Sequence, residues 1–245
     1  MAQANGATVH FARLERPSEL DRIYRISQDN HVKSCGAILL AAGQSRRMGA
    51  FKPLLSFGNK TVIESCIDYL REGGVETIVV VLGHRAEDIR KKLTEVIFAF
   101  NPDPNSEMGA SIAAGVEQLP TSVGATLIAL CDHPAVPANV VASLVEKWRE
   151  GARLVIPTWQ DRGGHPVLVD LSFKPELRNL SATGGLRALF DAHSEEVRRL
   201  PVDSPFIACD MDTWDDYRAL HQEATGEPAP EPLQNQTNET LDAFI

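Results

Sequence analysis

The sequence predicts a doubly wound α/β fold built on a mostly parallel sheet. Short apolar runs, rich in β-branched residues, alternate with segments of helical periodicity, as they do when buried parallel strands are covered by helices. The four clearest runs are residues 36–40, 77–82, 96–100 and 126–130. Ligands of such folds bind at the carboxyl ends of the strands, so this edge of the sheet is where a site is expected.

The helical segments connect these strands in chain order. They are predicted at residues 61–70, 86–93, 111–119 and 139–148. The later apolar runs are less regular and are expected to add strands at the edge of the sheet. These runs are residues 153–157, 166–170 and 197–202.

Composition restricts the class of function. The chain has 245 residues, of which 43% are hydrophobic, enough to bury a full core. A net charge of -9 argues against nucleic acid as the main partner, although a local basic pocket can still bind a small anion. No segment approaches the ~18 apolar residues of a membrane span, and the first residues lack a signal-peptide pattern, so a cytoplasmic location is expected.

Three parts of the chain differ in composition. Residues 1–33 are polar and mixed, and we assign this extension no role. Residues 34–221 carry the α/β pattern and are predicted to form the catalytic domain. Residues 222–245 are rich in proline and acidic residues and contain no Lys or Arg, which predicts a disordered acidic tail.

The strongest functional signal follows the first predicted strand, where residues 40–55 read LAAGQSRRMGAFKPLL. The small residues Ala41, Ala42 and Gly43 let the backbone approach a ligand closely, and a turn rich in free N–H groups can bind an anion. The charged residues between positions 43 and 60 are all cations: Arg46, Arg47, Lys52 and Lys60. Backbone donors, guanidinium groups and ammonium groups together predict a triphosphate site.

Other interpretations of this loop are a solvated surface turn or one of two familiar nucleotide motifs. The Walker pattern requires Gly-Lys-Ser/Thr, but Gly49 is followed by Ala50 and Phe51. The dinucleotide fingerprint G-x-G-x-x-G is absent.

The motif LAAGxSxRMGxxKxLL resembles the signature of the MobA-like nucleotidyltransferases, and within them it is most similar to the molybdenum cofactor cytidylyltransferases. The resemblance extends over residues 36–220 and implies a Rossmann-like sheet of the nucleotide-diphospho-sugar transferase type. It implies that Arg47 and Lys52 contact the NTP phosphates and act in catalysis, whereas Arg46 falls on a variable position. The implied nucleotide-binding residues are Leu40, Ala41, Ala42, Gly43, Ser45, Arg47, Gly49 and Lys52.

Two acidic positions are candidates for a metal site. Asp132 directly follows the fourth predicted strand, and Mg²⁺ needs only one or two carboxylates in addition to substrate phosphates. The alternative is an Asp that caps the next helix. By the resemblance, Asp132 is a catalytic metal ligand, next to His133 where the family usually has Gln. Asp210, in a segment similar to the family's DIDTPEDY, is the second candidate ligand, and Asp212 and Thr213 are predicted to start the last helix.

Two further segments are similar to the acceptor side of the family. Residues 101–115 match the pattern N…GM..S...G, which implies that Ser111 contacts the acceptor. Gly115 is interpreted as a residue that only marks the transition from loop to helix. Residues 163–166 resemble the family's GHP element, so His165 is the other acceptor-binding candidate. The family's later GD.GAR element lacks its acid here, at residues 183–187. The remaining histidines predicted to lie at the surface are His84, His193 and His221.

The resemblance implies that an acceptor phosphate oxygen attacks the α-phosphorus of an NTP and releases pyrophosphate. The implied substrates are CTP and molybdopterin, with Mg²⁺ as cofactor and transient contact with a molybdoenzyme or its chaperone. Three alternatives remain open: guanylyl or sugar/polyol-phosphate nucleotidyl transfer, a non-catalytic module that delivers a cofactor, and a dehydrogenase. The missing glycine fingerprint disfavours the dehydrogenase.

Overall fold

A computed structural model describes residues 33–45, 48–103, 105–180 and 184–230. The predicted N-terminal extension, apart from residue 33, and most of the predicted acidic tail therefore lie outside the described residues. Where the predicted tail begins, the chain is still helical, because the last helix continues through Thr225. It ends there because Gly226 takes a left-handed conformation with φ of 76°.

The strands are β1 (Ser34–Ala41), β2 (Ser56–Phe57), β3 (Lys60–Thr61), β4 (Thr77–Leu82), β5 (Ile97–Phe100), β6 (Val123–Leu130), β7 (Leu154–Trp159), β8 (Arg162–Gly163), β9 (Val167–Asp170) and β10 (Val197–Pro201). The helices are α1 (Val62–Glu72), α2 (Ala86–Arg90), α3 (Met108–Gln118), α4 (Ala138–Arg149), α5 (Lys174–Arg178), α6 (Gly185–Ala192) and α7 (Trp214–Thr225).

The sheet confirms the predicted doubly wound topology. β1 lies between β4 and β6, parallel to both, and β5 extends the sheet beyond β4 in the same direction. The chain runs outward from β1 through β4 to β5 and then returns to β6 on the other side of β1. The direction of winding therefore reverses between β1 and β6, and the carboxyl ends of two such strands border the expected ligand crevice.

The part of the sheet beyond β6 differs from the sequence expectation. β9 is antiparallel to both β6 and β7 and lies between them, and β10 follows β7 at the edge. Residues 166–170 were expected at the sheet edge, but β9 is an interior strand. The reason is a reversal after β7, where Gln160 and Asp161 have positive φ and β8 pairs back on β7.

Two apolar cores cover the two faces of the sheet. On β1, Ala37 and Leu39 belong to one core and Ile38 to the other, and all three are 0% exposed. Helices α1, α4 and α7 contribute to the first core, and α3, α5 and α6 contribute to the second. Burial on both faces explains the continuous apolar runs of the central strands. Among the described residues, no helix is long and apolar enough to cross a membrane.

Gly115 lies within α3, at the place where this helix crosses β1 and β4. A Cβ at this position would lie 2.5 Å from Ile38 Cγ2 and 3.0 Å from Val81 Cγ2. The interpretation that Gly115 only marks the transition from loop to helix is therefore wrong. The glycine lies in the middle of α3 and permits this helix to pack closely against the sheet. We expect Gly115→Ala to lower the free energy of unfolding by about 1–3 kcal/mol, the usual effect of overpacking a core. Urea denaturation measures this, and a loss below about 0.5 kcal/mol, typical of surface positions, would contradict the packing argument.

Helix α7 is fixed at its start by a capping box and along its length by a buried histidine. Thr213 and Asp216 form the box, which confirms Thr213 as the helix start. His221 is 2% exposed, and its Nε2 accepts a hydrogen bond of 3.1 Å from the Gly58 N–H. The interpretation of His221 as a surface histidine is wrong, because its partner lies in a turn far away in sequence.

Candidate active site

A cavity of about 510 Å³ opens at the carboxyl ends of β1 and β6, where the winding of the sheet reverses. Leu40 on β1 lies opposite Leu130 on β6, and the Cys131 N–H donates to the Leu40 carbonyl oxygen at 3.1 Å. These contacts hold the two strand ends side by side. The loop after each strand therefore lines the same cavity, as the sequence predicted.

The carboxyl end of β1 and the segment that follows it form one wall of the cavity. The wall consists of Leu40, Ala41, Ala42, Gly43 and Ser45, all predicted nucleotide-binding residues. A Cβ on Gly43 would meet no protein atom within 4 Å, so its backbone faces open space. A ligand can approach this backbone closely.

Ser45 shapes the turn after this wall. It has a φ of 52°, and its carbonyl oxygen accepts hydrogen bonds from the N–H groups of Met48 and Gly49, both at 3.2 Å. Its hydroxyl oxygen accepts from the Lys52 N–H at 3.3 Å. Gly49, with φ of 65°, belongs to the turn and does not line the cavity. The turn thus fixes the position of the Lys52 backbone.

The predicted phosphate contact of Arg47, and the variable Arg46 beside it, lie outside the described residues. The role of Arg47 therefore stays a prediction.

Lys52 occupies the edge of the cavity. It begins a short 3-10 helix, Lys52–Leu54, and is 9% exposed. Its Nζ donates to Asp212 Oδ1 at 2.8 Å and lies 3.8 Å from Asp132 Oδ2. One ammonium group thus joins carboxylates from two other parts of the chain. We call Lys52, Asp132 and Asp212 the ion-pair cluster.

Asp132 enters the cluster because it follows the carboxyl end of β6. The alternative role of helix cap is wrong, since α4 begins later in the chain, with Pro137 at its N-cap position and no side-chain cap. Among the predicted site residues, the structure therefore brings Lys52, Asp132 and the β1 wall together.

The second carboxylate of the cluster is Asp212 and not Asp210. Asp210 is exposed and does not line the cavity, whereas Asp212 does. Sequence reasoning missed Asp212 by assigning it to the helix start. The sequence did contain a signal, the capping box formed by Thr213 and Asp216. This box is sufficient to cap α7, so Asp212 is not needed for that role.

The donor set of the cluster fits Mg²⁺. Mg²⁺ is usually held by one or two carboxylates together with substrate phosphates, and Asp132 and Asp212 offer such a pair beside the cavity. Within the described ranges, no group of three or more His, Cys, Asp or Glu side chains forms a metal site. A metal at the cluster would therefore need substrate phosphates as further ligands, as Mg²⁺ commonly does.

The opposite wall of the cavity contains the start of α3. Ser111 is 8% exposed, and its Oγ accepts a hydrogen bond of 2.8 Å from Asn101 Nδ2. Asn101 also donates to Ser106 Oγ at 2.7 Å. These bonds hold the loop after β5 against the helix. The helix predicted at residues 111–119 thus begins earlier, at Met108, beside the cavity. Contact between Ser111 and an acceptor stays a proposal.

His133 lies next to Asp132, His165 packs against His133, and neither histidine lines the cavity. His133 Nε2 is 3.9 Å from Asp132 Oδ1, and the His133 and His165 rings are 6.0 Å apart. His165 Nδ1 lies 3.2 Å from the Ile128 carbonyl oxygen on β6. Burial lowers the pKa of both histidines, so both are neutral at neutral pH. His165 thus lies beside the site but does not line the cavity.

Comparison with known proteins places the chain in a family. Residues 37–198 match the MobA-like NTP transferase domain. Nicotine blue oxidoreductase of Paenarthrobacter nicotinovorans is 28% identical over 206 residues, which cover 79% of this chain and 97% of that protein. Rv0371c of Mycobacterium tuberculosis H37Rv has a similar crystal structure, with a TM-score of 0.69 and 27% identity over 78% of this chain and 99% of that one.

A second structure of Rv0371c, in complex with manganese, has a TM-score of 0.65 and 24% identity, and covers 77% of this chain and 98% of that one. The family match spans more than half of this chain and includes Lys52, Asp132 and the whole β1 wall. The fold agrees with that of the similar crystal structure. The chain therefore belongs to the MobA-like family of nucleotidyltransferases.

Proposed function

We propose that the chain transfers CMP from CTP to a phosphorylated acceptor, molybdopterin, and releases pyrophosphate. The observation that carries this proposal is the ion-pair cluster at the edge of the cavity. It supplies an ammonium group for phosphates and two carboxylates for Mg²⁺, opposite an open backbone wall. Lys52, Arg47 and Asp132 are the catalytic residues in this proposal.

The reaction needs positioning and charge neutralisation more than proton transfer. An acceptor phosphate oxygen forms a bond to the α-phosphorus of CTP while the bond to the pyrophosphate oxygen breaks in line. The nucleophile is already anionic, so no general base is required. Lys52 and Arg47 stabilise the phosphate charge, and the β1 wall orients the nucleotide. When bound, Mg²⁺ would neutralise charge on the phosphates, held by Asp132 and Asp212.

The acceptor is proposed to bind on the α3 side of the cavity. Ser111 is fixed there by Asn101 and lines the cavity. His165 packs against His133, the neighbour of Asp132, and does not line the cavity, so it would act at the margin of the acceptor site. Contact with a molybdoenzyme or its chaperone would follow from molybdopterin as acceptor.

The choice of nucleotide is proposed to depend on Ala42. The guanylyl branch of the family resembles L-A-G-G where this chain has Leu40-Ala41-Ala42-Gly43, and Ala42 lines the cavity. A misfit methyl group in a packed site costs on the order of 1–3 kcal/mol, or about 10- to 100-fold in discrimination. We therefore expect kcat/KM to be highest for CTP, followed by the other nucleotides, with purines excluded by size and UTP by hydrogen bonding.

The measurement is kcat/KM for the four nucleotides with one acceptor, in the unmutated protein and in Ala42→Gly. Ala42→Gly should relax the exclusion of GTP without necessarily making its use efficient. A clear preference of the unmutated protein for GTP would overturn the cytidylyl assignment and favour guanylyl transfer.

A second candidate function is an oxidation–reduction, which the name of the P. nicotinovorans relative favours. The absence of G-x-G-x-x-G and the presence of the ion-pair cluster both favour phosphate chemistry. Sugar- or polyol-phosphate nucleotidyl transfer and non-catalytic cofactor delivery are further alternatives. Pyrophosphate release with each NTP, with and without molybdopterin, separates all of these from the proposed reaction.

A further inference from the structure

We propose that Lys52 couples the binding of divalent metal to the binding of nucleotide, because its ammonium group competes with the metal for the carboxylates of the ion-pair cluster. The inference rests on the proposed function, in which Asp132 and Asp212 hold the metal and Lys52 binds phosphate. It assigns Lys52 a second role that phosphate binding alone does not require.

The geometry of the cluster gives the reason. The Lys52 side chain is 11% exposed, so its charge is held near the two carboxylates and is not free to move into water. Its Nζ is within hydrogen-bonding distance of Asp212 Oδ1, at 2.8 Å, and the Asp132 Oδ2 is 3.8 Å away. The atoms that would hold the metal are thus the same atoms that already interact with the ammonium group.

Binding of either ligand alone is then unfavourable for an electrostatic reason. Metal alone must approach carboxylates already neutralised in part by Lys52, and nucleotide alone brings phosphates toward two carboxylates of like charge. When both bind, Lys52 can exchange carboxylate partners for phosphate, and the carboxylates can exchange ammonium for metal. Each ligand therefore raises the affinity for the other, and by linkage the coupling is reciprocal.

The proposal predicts an effect opposite to that of an ordinary loss-of-function change. Lys52→Met should bind Mn²⁺ more tightly than the unmutated protein when nucleotide is absent, because the carboxylates lose their competitor. We expect a gain of at least about tenfold in affinity, equivalent to ~1.4 kcal/mol. The free Mn²⁺ signal in electron paramagnetic resonance measures this in full-length protein without any turnover.

Lys60→Met is the matched control. Lys60 pairs with Asp68 outside the cavity, so its removal changes the net charge equally without freeing the cluster. Asp212→Asn in the Lys52→Met background should abolish the gain, which locates the metal. Thermal unfolding provides a second measurement. Because tighter binding stabilises the folded state more, Mn²⁺ should raise the Tm of Lys52→Met more than that of Lys60→Met.

Equal Mn²⁺ affinity in Lys52→Met and Lys60→Met would overturn the proposal, as would a gain that survives Asp212→Asn. If Lys52→Met does not fold, Lys52→Gln, which keeps a long polar side chain, provides the same comparison. Failure of the proposed reaction is distinguishable, because the Mn²⁺ measurement contains neither CTP nor an acceptor. A protein that shows the Mn²⁺ gain but never releases pyrophosphate from CTP would contradict only the proposed function.

Discussion

Asp132→Asn should abolish Mg²⁺-dependent nucleotidyl transfer while the fold remains intact. The amide has nearly the same shape but no charge, so the cluster would lose one of its two proposed metal ligands at the end of β6. Loss of one preorganised electrostatic contact costs about 10²–10³ in kcat, and loss of metal-assisted charge neutralisation adds to this. We expect pyrophosphate release to fall by about a thousandfold or more at saturating Mg²⁺.

The same substitution at two other aspartates sharpens this test. Asp212→Asn should also be strongly impaired, whereas Asp210→Asn should have a small effect because Asp210 is exposed outside the cavity. Circular dichroism and thermal unfolding verify that each variant is folded. A normal rate in Asp132→Asn would refute its metal role, and a severe loss in Asp210→Asn would restore Asp210 as the second ligand.

Lys52→Ala and Arg47→Ala should each reduce kcat/KM by about two orders of magnitude, since removing one charge that acts on the transition state costs ~3 kcal/mol. For Lys52, the physical reason is its buried ammonium group at the edge of the cavity. For Arg47, the reason is its place in the family motif. Steady-state kinetics with CTP and the acceptor measure both losses.

Arg46→Ala is the matched control for the loop, since it removes the same charge from a variable position, and its effect should be much milder. Lys60→Ala is the control for Lys52. If Arg46→Ala were the most impaired of these variants, the assignment of positions along the loop would be incorrect.

The central half of the fold was predictable because its strands are apolar on both faces and are separated by helices. All four predicted central strands are present in the described residues, and they form the parallel part of the sheet. The placement of β9 was not predictable, since pairing partners of a short apolar run depend on contacts distant in sequence. The positive φ values at Gln160 and Asp161, which turn the chain back after β7, also gave no pattern in the sequence.

The part of the site that lies at the carboxyl ends of the central strands was predictable from the sequence. Ala41 ends β1, Ala42 and Gly43 follow it, and Asp132 comes shortly after β6; all four residues line the cavity. The choice between Asp210 and Asp212 depended on how the segment around Met211 is buried, which two aspartates two residues apart do not reveal. The ion pairs of Lys52 were likewise hidden, because Asp212 is 160 residues away along the chain.

Family membership restricts the type of reaction more than it restricts the identity of the substrates. A relative that shares 79% of this chain's length is an oxidoreductase by name, so the same fold serves more than one reaction. In this chain, the ion-pair cluster offers an ammonium group and two carboxylates, which suit phosphates and a metal. We propose that the choice of nucleotide and acceptor depends on side chains that line the cavity walls, such as Ala42 and Ser111.

The most direct test of nucleotidyl transfer in this cavity follows the α-phosphate itself. The protein is incubated with Mg²⁺, molybdopterin and CTP radiolabelled on the α-phosphate, and the products are separated. We predict that the label moves to the acceptor, that pyrophosphate appears in equal amount, and that both require the acceptor and Mg²⁺. Label that stays in free nucleotide would contradict nucleotidyl transfer, as would movement of label to the acceptor in a parallel incubation with CTP labelled on the γ-phosphate.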